Sequence, residues 1–90
     1  MKKHDLIAMM FKNEPIETFE KLSEEDISEP EWGFLLHMCY CEESYESVGG
    51  DFGDMENPPI NYERLAYLEK LINFLESKGI TDVEIGERNI

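Results

Sequence analysis

His37-Met38-Cys39-Tyr40-Cys41 is the one run in this chain that gathers soft metal-ligand and nucleophile types. What it can do depends on the backbone beneath it. On a strand, residues at i, i+2 and i+4 share a face, so His37, Cys39 and Cys41 could meet one Zn²⁺. His4 is the only other histidine, and the fourth ligand is unassigned. On a helix, Cys39 and Cys41 point about 200° apart and cannot hold the same ion. His37 and Cys41 then become i, i+4 neighbours, the spacing of a thiol–imidazole pair, but no third group is at hand to orient it. The helix is the favoured backbone here, so both cysteines are expected to be reduced, buried and free of metal.

Carboxylates offer a second set of ligand types. Asp51, Asp54 and Glu56 sit in a glycine-rich stretch, but their spacing does not match a calcium-binding EF-hand loop. A solvated acidic loop is the better reading. The sequence has no serine-centred elbow, no phosphate-binding glycine loop followed by Lys-Ser/Thr, and no zinc-protease histidine pair. The chain is therefore expected to be neither an enzyme nor a cofactor carrier.

Charge carries more information than any motif. The 90 residues have a formal net charge of −13, and its distribution is uneven. Residues 22–63 contain twelve acids and no Lys or Arg. They are Glu24, Glu25, Asp26, Glu29, Glu31, Glu42, Glu43, Glu46, Asp51, Asp54, Glu56 and Glu63. Acids and bases nearly balance on either side. A segment without compensating ion pairs repels itself, a stability cost that solubility alone does not require. One sign of field repels nucleic acid and anionic membrane and attracts a basic protein surface. Trp32, Tyr40, Tyr45, Phe52 and Tyr62 are interleaved with these acids, and aromatics within a charged patch are common interface anchors.

The elements that must position these groups are helices. Asn61 to Gly79 has an Asn N-cap, a Pro58-Pro59 block upstream and a glycine stop. Its Leu65, Tyr67, Leu68, Leu71, Ile72, Phe74 and Leu75 fall in one arc, with Glu63, Glu69, Lys70, Asn73, Glu76 and Ser77 opposite. Ser28-Glu29-Pro30-Glu31 has the pattern of a capping box and opens a second helix to residue 46. There Trp32, Leu35, Leu36 and Cys39 share one face, and Phe34, Met38 and Tyr45 another. These two helices should be the central pair. Shorter helices are expected near 3–12, with Leu6, Ile7, Met10 and Phe11 inward, and near 14–22, carrying Ile16, Phe19 and Leu22. Residues 47–60 form an acidic Gly/Pro loop, and alternation at 81–85 marks a possible strand. The fold class is mainly α: a small single-domain bundle of three to four helices with a short C-terminal extended segment or strand.

No apolar run reaches membrane-spanning length, and two cysteines make no disulfide framework. Met1-Lys2-Lys3 resembles a signal-peptide n-region, but Asp5 intervenes and Leu6 to Phe11 gives only six apolar residues before Lys12, so export is not expected. A cytoplasmic location is expected. The expected function is inhibition of a positively charged protein, such as a nuclease toxin countered by an immunity-type protein or another nucleic-acid-binding protein. The expected contact residues are Glu24, Glu25, Asp26, Glu29, Glu31, Glu42, Glu43, Tyr45, Glu46, Asp51, Phe52, Asp54 and Glu56. The alternative is a small regulatory or assembly subunit acting through apolar helix faces, its acidity serving solubility.

Overall fold

The structure, a computed structural model, describes residues 3–22 and 26–81. Among these residues all the regular structure is helical, with no strand. Helix α1 spans Lys3–Phe11, α2 Ile16–Glu20, α3 Glu29–Ser47 and α4 Tyr62–Ser77, with a single 3₁₀ turn at Gly50–Phe52 between α3 and α4. The strand expected at 81–85 lies, apart from Thr81, outside the described residues.

Local chemistry explains where each helix begins and ends. The Glu31 carboxylate accepts hydrogen bonds from the Ser28 N–H at 3.0 Å and the Ser28 hydroxyl at 3.1 Å, fixing the start of α3. Asn61 Oδ1 accepts from the Arg64 N–H at 3.0 Å and caps α4. Gly79, at φ +79°, ends α4 in a Schellman turn, in which its N–H bonds Glu76 O and the Ile80 N–H bonds Leu75 O. Asn13 does the same for α1, adopting φ +54° while Glu14 N–H bonds Met9 O. Helix α2 is shorter than the expected 14–22, because Pro15 forms its N-cap in an extended conformation and holds Glu14 out of the helix.

Helices α3 and α4 make the most extensive contact, α1 packs on α3, and α2 packs on α4. The buried set is Leu6 and Met10 of α1, Phe19 of α2, Ile27, then Trp32, Leu35, Leu36 and Cys39 of α3, and Leu68, Leu71, Ile72 and Leu75 of α4. Each fully buried leucine contributes on the order of 2 kcal/mol relative to exposure. Cys39 Sγ lies 3.4 Å from Met10 Sδ, and the small thiol lets α1 approach α3. Burial raises the Cys39 thiol to about 12, so it stays protonated.

Three expected placements are corrected. Phe11 points outward, 53% exposed, because its ring covers the Arg64 guanidinium at 5.2 Å instead of entering the core. Cys41 is exposed, two residues beyond buried Cys39, since helical geometry turns it to the far side. Trp32 is core, with the Lys78 ammonium over its ring at 5.7 Å, and does not anchor a surface patch.

Candidate protein-binding surface

Helix α3 separates the acidic residues into two groups. Its 19 residues extend about 27 Å from first to last. Asp26, Glu29 and Glu31 stand at its N-terminal end, where Glu31 is committed to the Ser28 cap. Glu24 and Glu25 lie outside the described residues. Glu43, Tyr45, Glu46, Asp51, Phe52, Asp54 and Glu56 belong to its last turns and the loop beyond.

That loop is a compact knob. Gly49, at φ +98°, turns the chain out of α3, and a Cβ there would stand 2.4 Å from Pro58 Cβ, so only glycine permits this closure. Successive turns follow, with Phe52 N–H bonding Gly49 O, Gly53 N–H bonding Gly50 O, and Met55 N–H bonding Phe52 O. The Tyr45 ring lies against Gly50, and its hydroxyl donates to Asp51 Oδ1. That hydrogen bond, reinforced by the charges of Asp51, Glu46 and Glu42, raises the Tyr45 phenol to about 12. Val48, Phe52 and Met55 stay exposed on the knob at 61%, 56% and 54%. Asp51, Asp54 and Glu56 are exposed between and beside them. The knob thus exposes three apolar side chains and three carboxylates within nine residues, and Tyr45 clamps its base.

Glu42 has a different role. Its Oε2 is 3.9 Å from Arg64 Nη2, and its side chain is only 19% exposed. Arg64 is the residue that sequence reasoning missed. It is 6% exposed, and Nη1 donates to Met10 O at 2.6 Å and to Asn13 Oδ1. The rings of Phe11 and Tyr67 flank its guanidinium. Arg64 thereby places a cation at the C-terminal, negative end of α1, where α1 has no base of its own. The signal was present in the spacing, since Arg64 is four residues before Leu68 in the register 64, 68, 71, 75 that the core uses. Burial also raises Tyr67 to about 12, opposed by the Arg64 charge.

The remaining chemistry-bearing residues are dispersed. Helical geometry separates Cys39 from Cys41 and leaves Cys41 Sγ 3.7 Å from His37 Nε2. No group of three or more His, Cys, Asp or Glu among the described residues could hold a metal ion within one chain. Tyr40 donates to Glu76 Oε1 at 2.5 Å, tying α3 to α4. A cleft of about 560 Å³ opens between Leu22, Ile27 and Trp32 on one side and Lys78 and Ile80 on the other. No helix of the described residues is long and apolar enough to cross a membrane. No protein-family model matches the chain, and no curated protein or solved structure matches it significantly.

Proposed function

We propose that this chain is a protein-binding inhibitor that covers the nucleic-acid-contacting surface of a basic partner, as an immunity-type protein covers a nuclease toxin. The observation that carries this reading is the 48–56 knob, where exposed Val48, Phe52 and Met55 are held among Asp51, Asp54 and Glu56. The carboxylates imitate the spaced negative charge of a phosphate backbone and accelerate encounter with a basic surface. The apolar side chains then set the lifetime of the complex by burial. A knob closed by Gly49 and clamped by Tyr45 to Asp51 loses little conformational freedom on docking, which favours affinity. Glu43 and Glu46 extend the field along α3, and Asp26 and Glu29 reach only a partner wide enough to span the helix.

The test uses the full chain as immobilised bait in three forms. They are wild type, Asp51→Lys with Asp54→Lys, and Glu69→Lys on the polar side of α4. Glu69 is the better control than Glu76, because Glu76 accepts the Tyr40 hydroxyl. The expected partner is basic, binds wild type and the Glu69 variant alike, and is lost by the double reversal. Wild-type chain should displace DNA or RNA from the purified partner, with an on-rate that falls steeply as salt rises. A partner that holds the reversed knob equally well, or carries nucleic acid and this chain together, would refute the proposal.

A further inference from the structure

From His37, Cys41 and the seam they occupy on α3, we infer that two copies of this chain share one tetrahedral divalent metal, each supplying His37 Nε2 and Cys41 Sγ.

The first observation is the bite of the pair. Sγ and Nε2 lie 3.7 Å apart on the same face of α3. A tetrahedral Zn²⁺, with Zn–S of about 2.3 Å and Zn–N of about 2.0 Å, holds such ligands roughly 3.5 Å apart. The pair therefore meets the metal's demand with almost no movement, while the helix fixes both side-chain origins. Among the described residues, one chain brings only these two ligand atoms together, and no three-ligand group is formed there. A structural zinc site needs four, and the same pair from a second copy completes the set that the described residues leave at two.

The second observation says where that copy sits. Pro30, Phe34, His37, Cys41 and Ser44 follow each other at alternating steps of four and three, the spacing of a helix–helix seam. Pro30, Cys41 and Ser44 are exposed, and Phe34 and His37 are half-buried. None of the five carries a carboxylate, although the chain as a whole has a net charge of −13. The helix acids, Glu29, Glu31, Glu42, Glu43 and Glu46, occupy other faces of α3. A seam free of carboxylates is where two strongly negative chains approach with least mutual repulsion. Two-fold pairing along it brings each His37–Cys41 pair to its counterpart and yields an S₂N₂ set, which suits zinc.

Binding balances without a redox step. Each Cys41 S–H bond breaks, its electron pair passes to the metal, and its proton goes to solvent. Two protons leave per metal, and two thiolates neutralise the dication, with neutral His37 donating its ring lone pair. The acidic surface concentrates dications nearby but cannot supply thiolate ligands.

Cobalt(II) is the probe, titrated into full chain under anaerobic, reducing conditions with sedimentation followed in parallel. Saturation is expected at about half an equivalent per chain, the ratio of a four-ligand shared site. Thiolate-to-cobalt charge transfer, tetrahedral visible bands and a doubled mass should appear together. Zn²⁺ should bleach the bands and keep the dimer, and a chelator should return monomer. Cys41→Ser, at an exposed position, and His37→Gln should each lose the bands and the dimer while keeping the helical circular dichroism. Bands that persist in Cys41→Ser, saturation at one equivalent or more with no change of mass, or no binding by folded wild type would each overturn the inference. So would a dimer that survives the chelator and dissolves only in stronger reductant, since that is a disulfide.

Discussion

Replacing Arg64 by Met keeps most of the side-chain volume and removes the charge that joins α1, α3 and α4. Two hydrogen bonds from a cationic donor disappear, those to Met10 O and Asn13 Oδ1, each worth about 1.5–3 kcal/mol. Glu42 also loses its cation at 3.9 Å, and unpairing a buried charge costs about 3–5 kcal/mol. These contributions overlap, and water can still reach Glu42 through its 19% exposed side chain. The low end therefore applies, and Arg64→Met should cost about 3 kcal/mol. A chain of 90 residues has a total stability of roughly 5–13 kcal/mol, so the loss is a large share. With a urea m-value of about 1 kcal/mol/M, the unfolding midpoint should fall by about 3 M while m stays constant. Glu42→Gln removes the stranded charge, so the double variant should be more stable than the sum of the two single losses predicts by about 1–2 kcal/mol. Arg64→Lys should recover only part of the loss, because a compact ammonium cannot reproduce the planar fork. A loss below about 1 kcal/mol for Arg64→Met, or strict additivity with Glu42→Gln, would refute the reasoning.

Two further outcomes follow from the knob and the caps. Gly79→Ala meets nothing within 4 Å and carries only the left-handed backbone cost, about 1 kcal/mol, whereas Gly49→Ala adds a clash with Pro58 and should cost about 3 kcal/mol in thermal or urea unfolding. The Tyr45 phenol, held up to about 12 mainly by Asp51, favours the folded state fully below its ordinary pKa of 10.0, and that contribution is lost as pH rises through about 12. In an NMR titration of ring-labelled tyrosine, Asp51→Ala should move the Tyr45 midpoint down toward 10.0, and an unmoved midpoint would disprove the clamp.

Most of the helical architecture was legible in the sequence because it is set by neighbours in the chain. The Ser28–Glu31 pairing, the Asn61 cap and the Gly79 stop each act within one helical turn, so residue type and spacing suffice to place α3 and α4. The inward faces followed from period alone, and Leu35, Leu36, Cys39, Leu68, Leu71 and Leu75 are all buried. The acid excess of residues 22–63 could be read by counting, since net charge is additive along the chain, but the pairing of Glu42 with Arg64 could not.

What escaped the sequence depends on groups brought together from distant positions. Arg64 meets Met10 and Asn13 across more than fifty residues, so its burial follows from how α1 lies against the α3–α4 pair. The same contacts decide that Phe11 covers a guanidinium and leaves the core, and that Glu42 is held inside the fold while Asp51 and Asp54 face solvent. Sequence placed Cys41 among the buried thiols because its run is apolar, but a helix can bury only the faces its neighbours reach. Packing by α1 and α4 covers Cys39 and leaves Cys41 outside, beside His37. Local chemistry thus determined which segments are helices and which face each prefers to bury. Only the arrangement of those helices decided which charges are paired, which aromatics are exposed and which thiol meets solvent, because each outcome is a competition between contacts far apart in sequence.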